Sequence, residues 1–177
     1  MKTLFLSIVI SLFAVLSTTA QHKHNKPKTG SPAASTSIEL SKSTISVDYH
    51  SPSVRGRLIW GGLVGFDQIW VTGAHNATKL SFTEDVTIGG VQLLKGSYAL
   101  FTIPGRGNWT VVINRNWEQH LADDYGKSLD VVRFKVRPTF TTQTEMLTYS
   151  LKEVNPKTAE LSMAWDKLKI SFPIEIN

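Results

Sequence analysis

The chain has 177 residues, no cysteine, 41% hydrophobic and 19% charged side chains, and a formal charge of +5, the profile of one globular domain with something attached to it. The missing cysteines exclude disulfides, a thiolate nucleophile, Cys-ligated zinc and a lipid-anchored N-terminal cysteine. The basic excess belongs to the start of the chain: setting aside Lys2, Lys23, Lys26 and Lys28 leaves fifteen basic against fourteen acidic groups over residues 38–177, too even a balance for a nucleic-acid or anionic-membrane binder.

Residues 1–20 carry one early charge, Lys2, an apolar run from Leu4 to Leu16, and small residues Thr18 and Ala20 where a signal peptidase would cut. This is the pattern of a secretory signal peptide. Its apolar run is short of the ~20 residues that a membrane-spanning helix needs, so no membrane span is expected after cleavage. Residues 21–37, QHKHNKPKTGSPAASTS, hold no large apolar side chain and read as a disordered basic, Ser- and Pro-containing linker. His22 and His24 on such a tail would have to be ordered before holding a metal, which weighs against a metal site there.

From Ile38 onward the dominant period is two, which predicts strands across a single domain, 38–177. Residues 49–78 break that period: they contain five of the twelve glycines together with Trp60, Phe66 and Trp70, and bulky rings between glycines predict an irregular loop that is either a structural plug or a site wall. Strand signals resume at Leu80 and Phe82. Val86 and Ile88 lead into a Gly89-Gly90 turn followed by Val91 and Leu93, and Tyr98–Ile103 and Trp109–Asn114 flank a PGRGN turn. Asn116–Tyr125 is the best candidate for a short helix or a turn. Val132, Phe134 and Val136 alternate with Arg133, Lys135 and Arg137, a basic face expected to be a solvated edge that discourages strand addition.

Leu147, Tyr149 and Leu151 mark another strand, as do Leu161, Met163 and Trp165. Asp166-Lys167 predicts a two-residue hairpin turn before the last alternating run, Leu168 to Ile176. Pro173 places that run at an edge, or with its nitrogen turned away from a ladder. The expected fold is all-β: a mostly antiparallel, jelly-roll-like sandwich of about eight to ten strands, with one irregular Gly/Trp-rich loop and at most a short helix.

The stretch SPSVRGR (51–57), Ile59, Leu63-Val64, Trp70, the TGA-x-x-AT pattern of 72–78, DVTIGG (85–90), G-x-Y-x-LFTIP (96–104), WTVVIN (109–114) and WDKLKISFPI (165–174) together resemble the exported, mainly bacterial domain-of-unknown-function 2911 family. The resemblance spans Ile45 to Ile174. It implies domain extent and export, to a periplasmic or extracellular location, and supplies no activity. The sequence departs from the family pattern at Val71, where Arg is usual, and at His75-Asn76, where Asn-Glu is usual. A bacterial source also removes the significance of the glycosylation acceptors at Asn76 and Asn108.

Catalytic signatures are missing: there is no G-x-S-x-G elbow, H-E-x-x-H, P-loop or G-x-G-x-x-G. Adjacent carboxylates such as Asp123-Asp124 point to opposite faces if extended. His50, His75 and His120 have no tight spacing, so neither a catalytic residue, a metal site nor a cofactor is assigned. The segment that breaks the strand period is the expected place for any site, with Arg55, Arg57, His75, Asn76 and Thr78 as its polar ligand-binding members; in an extended stretch Arg55 and Arg57 would share one face and could clamp a carboxylate or phosphate. The leading functional expectation is a non-catalytic module of the cell envelope that binds a small ligand or an envelope partner. A hydrolase using His75 or His50 with a carboxylate, and a structural or assembly protein, remain as alternatives. On export the mature chain should begin at Gln21 or within a few residues of it, which intact mass of the exported protein checks; retention of residues 1–20 in the membrane fraction would contradict it.

Overall fold

The computed structural model describes residues 30–177; the expected signal peptide and the 21–29 part of the expected linker, with His22 and His24, lie outside the described residues. Ten strands follow in chain order: β1 (Ala33–Leu40), β2 (Ser43–His50), β3 (Thr78–Phe82), β4 (Val86–Ile88), β5 (Val91–Leu93), β6 (Gly96–Ile103), β7 (Trp109–Asn114), β8 (Asp130–Val136), β9 (Thr139–Asn155) and β10 (Thr158–Ile176). They form a six-stranded sheet in the order β1-β2-β3-β6-β7-β8 and a four-stranded sheet in the order β5-β4-β10-β9, with antiparallel pairing throughout. This is the all-β sandwich that the alternating pattern predicts. Among the described residues helix is limited to one 3-10 turn, Lys127–Leu129, so Asn116–Tyr125 takes the turn form of its two expected forms. No helix among them is long and apolar enough to cross a membrane.

Two boundaries differ from the sequence expectation. The first strand starts at Ala33 rather than at 38 and pairs residue for residue with β2, from Ala33 opposite His50 to Leu40 opposite Ser43. Its alternation is real, with Ala34, Thr36 and Ile38 half-buried between exposed neighbours, but small and hydroxylated side chains carry it, which hydropathy does not register. Asp166-Lys167 is not a hairpin turn either, because β10 runs through it. The inward positions change from odd (Leu161, Met163, Trp165) to even (Ile170, Phe172, Ile174) across this pair. A turn and a bulge both produce such a change of phase. Here the pairing with β9 shifts on both sides of Asp166, which adopts φ 53°.

Other local expectations hold. Gly89 and Gly90 have φ 56° and 80°, the two positive values that a tight two-residue hairpin requires, and they join β4 to β5. β8 is an edge strand whose Arg133 and Lys135 are exposed, as is Arg137 just beyond it. Pro173 falls between the two ladders of β10, which pairs with β9 as far as Lys169 and with β4 at Glu175 and Ile176, so its missing N–H costs no ladder bond.

The main core lies between the sheets, and one end of it is closed by four tryptophans. Trp60 from the Gly-rich loop packs on Trp109 of β7 at 4.7 Å between ring centroids and on Trp165 of β10 at 5.9 Å. Trp70 stacks on Trp165 at 5.8 Å and meets Trp60 edge-on. The loop is therefore a plug over much of its length. The indole N–H groups of Trp60 and Trp165 have no protein acceptor. An unpaired donor costs ~1–3 kcal/mol, whereas burying an indole of roughly 150–250 Å² contributes about 4–6 kcal/mol at ~25 cal/mol/Å², so ring burial wins. Tyr149 reaches out of the same core: fully buried, it donates its hydroxyl to the Thr72 carbonyl at 2.8 Å, and burial raises its pKa above the usual phenol range. Chemical denaturation should show Trp165→Ala losing about 3–5 kcal/mol and Tyr149→Phe, which removes one hydrogen bond, about 1 kcal/mol; equal losses would mean that the tryptophan cluster is not the anchor.

Candidate functional site

Strands β6 and β7 are buried on both faces. Leu100, Val111 and Ile113 face the main core, while Ala99, Phe101 and Val112 point away from it into a second apolar cluster. That outer cluster is covered by two irregular segments: 69–77, through Ile69, Val71 and Ala77, and 115–129, through Trp117, Ala122 and Tyr125. The segments are stitched together by backbone bonds from Ala77 N–H to the Gln119 carbonyl at 3.0 Å and from Leu121 N–H to the His75 carbonyl at 2.7 Å. The cover ends over β3. Beyond it, above β1 and β2, lies an open cleft of about 750 Å³.

The floor of this cleft is a row of outward side chains on three neighbouring strands: Ser35 opposite Asp48, and Asp48 opposite Lys79. Lys79 Nζ sits 2.9 Å from Asp48 Oδ2, with the two side chains 32% and 46% exposed, and 5.3 Å from the centre of the Trp117 ring. The bond from Lys79 holds the Asp48 carboxyl below the usual aspartate range, opposed by partial burial and helped by a bond from Ser35. The rest of the lining is Trp117, Glu118, Gln119 and His120, the adjoining Asn76 and Ala77, and His50 at the end of β2. Gln119 is buried, with Nε2 donating to the Asn116 carbonyl at 2.5 Å. His50 and His75 meet edge to face, 5.0 Å between ring centroids. Partial burial, and then the charge of His75, hold the His50 imidazole below its ordinary pKa.

The residues expected to form a site separate into two groups. Asn76 lines the cleft, and His75, which is not part of the lining, packs its ring against that of the lining residue His50. Both depend on Gly73, where a Cβ would lie 2.9 Å from Thr78 Oγ1 and 3.2 Å from the His50 carbonyl oxygen; glycine lets the loop pass this close to the end of β2, and His75 then turns through φ 59°. Arg55, Arg57 and Thr78 do not line the cleft. Arg55 and Gly56 take positive φ, 50° and 67°, so the expected extended stretch with both guanidiniums on one face is a turn instead. The Arg55 N–H donates to Glu145 Oε1 at 2.9 Å. Arg57 folds back on its own loop, donating to the Val54 and Ser53 carbonyls at 3.1 and 2.5 Å. Thr78 is fully buried and donates to the Thr72 carbonyl at 3.2 Å.

Asp48, Lys79, Trp117 and Gln119 were not legible as site residues: on a strand, an outward Asp or Lys reads as a solvated face. The Asp48–Lys79 pair makes a pH-dependent contribution of known sign. A carboxyl whose folded pKa lies below its unfolded value stabilises the fold above the ordinary carboxylate range, and that contribution is lost as pH falls through the folded pKa. Asp48→Asn should therefore flatten the acid limb of stability against pH, below about pH 4. Because the pair is partly exposed, the loss near neutrality should stay under about 1 kcal/mol; denaturation at a series of pH values checks both.

No curated protein and no solved structure matches the chain. A family model described as a protein of unknown function, DUF2911, matches residues 31–174. That span runs from just before β1 to the penultimate turn of pleat in β10 and takes in both sheets, the plug and the cleft. The chain belongs to the DUF2911 family.

Proposed function

We propose that this protein is a binding module that takes a small polar ligand in the cleft on the outer face of its six-stranded sheet, without turning it over. The observation that carries the reading is the lining itself. Charged, amide and imidazole side chains from β2, β3 and two loops converge around small apolar residues and one indole, which is the composition of a ligand pocket rather than of a solvated sheet face. The cleft exists because the cover of the outer cluster stops short, so it needs no rearrangement to open.

A hydrolase would need an imidazole oriented by a carboxylate. His50 and His75 contact each other instead. The histidine–carboxylate approach at the cleft, His120 Nδ1 to Asp123 Oδ2, is 3.6 Å long with both side chains more than half exposed, a surface pair and not a poised base. The setting we propose is the one implied by residues 1–20: an exported protein working in the periplasm or outside the cell.

The test is a thermal-shift screen of the protein and of Ala33→Trp, which fills part of the cleft from the exposed end of β1, against sugars, carboxylates, phosphates and neutral polar compounds. A true ligand raises the midpoint of the parent protein, by about 2.7 kcal/mol of stability at a hundredfold excess over Kd, and does so much less in Ala33→Trp. Hits that stabilise both proteins equally would place binding elsewhere. Chromatography of each hit after incubation decides the rest: recovery intact supports a binder, and consumption supports the hydrolase.

A further inference from the structure

We propose that the cleft captures its ligand by an anionic group, a carboxylate or a phosphate, received by the imidazoles of His50, His75 and His120, with proton uptake on binding. The proposal rests on reading the cleft as a ligand site. Its starting point is that residues 50, 75 and 120, far apart in sequence, come together at the cleft: His50 and His120 line it, and His75 lies against His50. His50 ends β2; the left-handed turn at His75 sets its ring against that of His50; and an isolated bridge pairs Asn76 with His120. His75 and His120 are exposed and His50 is half-buried, so all three rings remain open to a ligand.

The fixed charges facing these rings are Asp48 from β2, Lys79 from β3, and Glu118 from the 115–129 loop, with Asp123 of that loop beside His120. Lys79 is occupied by Asp48 and by the Trp117 ring. With neutral imidazoles these groups hold three carboxylates, Asp48, Glu118 and Asp123, against one lysine, a net charge of −2; three protonated imidazoles bring it to +1. The histidines thus decide whether an anion is repelled or attracted. Two imidazoles 5.0 Å apart also resist carrying two protons together, and burial adds to that resistance at His50. An anion between the rings removes the repulsion and supplies an acceptor to each N–H, so ligand and proton bind with positive coupling. Arg55 and Arg57 are not available for this role at the cleft, since they belong to the loop that packs on Glu145.

The experiment is an NMR titration of the imidazole and backbone amide signals of the full protein, with inorganic phosphate, succinate and the uncharged dimethyl succinate as probes, between about pH 5.5 and about pH 8. Either anion should raise the titration midpoints of His50 and His75, and its Kd should rise roughly tenfold per pH unit for each proton taken up as pH increases through the imidazole range. His50→Gln and His75→Gln should each lower that dependence by about one proton's share, a factor of roughly ten per pH unit; His75→Gln, at an exposed position, keeps the test sound if the other variant folds poorly. Preference for phosphate over succinate, or the reverse, identifies the kind of anionic group. Anion binding that ignores both substitutions, or anions that leave the imidazole midpoints in place, overturns the proposal. If dimethyl succinate alone moves the amides of Asn76 and Ala77, the anion proposal falls and the ligand cleft stands. If no probe moves any lining amide, the anion proposal falls, and the reading of the cleft as a ligand site is decided by the thermal-shift screen.

Discussion

Strands β6 and β7 are apolar on both sides, and a sheet that is apolar on both sides must be covered twice. The second sheet covers one side. The other has to be covered by whatever chain is left, and in this protein that is two irregular segments, 69–77 and 115–129, laid over Ala99, Phe101 and Val112. The cover is only as wide as the apolar patch beneath it. Where the outward residues become Lys79, Asp48 and Ser35, no apolar surface rewards further covering, and the segments end in free walls. The cleft is thus the edge of a patch in the sheet's own sequence pattern, and its polar floor and the apolar base of its walls have the same origin.

The Gly-rich segment serves both sides of this arrangement. Its first part drives Trp60 and Trp70 between the sheets, tying a loop to β7 and β10 through ring contacts. Its last part, from Val71 to Ala77, climbs over the outer face. Thr72 is the pivot: its carbonyl receives the Tyr149 hydroxyl from the opposite sheet and the Thr78 hydroxyl from β3, and its own hydroxyl meets that of Thr102 at 3.0 Å. In a chain without disulfides these buried bonds, together with the rings, fix the loop to both layers. Arg57 and Thr78 are held by bonds within this segment, while Asn76 lines the cleft, so the polar residues of one irregular segment are divided between the two.

Fold class was readable because it depends on period, and strands such as Val132–Val136 carry their period in residues of strongly contrasting hydropathy. Where the same period was carried by Ala, Ser and Thr, in β1, it went unseen until β2 supplied the partner strand. A change of phase was readable at Asp166-Lys167, but a turn and a bulge write the same pattern, and the choice between them is made by the register of β9. The candidate site was readable only where local chemistry was unusual, at Asn76 and the neighbouring His75 beside Gly73. Asp48, Lys79 and His120 owe their part in it to pairing across strands and loops; no neighbour in sequence announces it. The three histidines illustrate the limit most clearly, since spacings of 25 and 45 positions hold no information about a meeting at one cleft.

The long strand β10 has one more consequence, for the order in which the molecule can be assembled. It is the last strand in the chain and yet lies inside its sheet, between β4 and β9, with Ile174 fully buried and Ile176 paired to Val86 ninety positions earlier. Residues 33–136 contain every strand of the six-stranded sheet, but that sheet has an uncovered inner face until β10 arrives. Without β10 the core between the sheets stays open and Trp165 is missing from the tryptophan cluster. Contacts of such long sequence separation are slow to form, so closure of the core between the sheets waits on the pairing of β10 with β4 and β9.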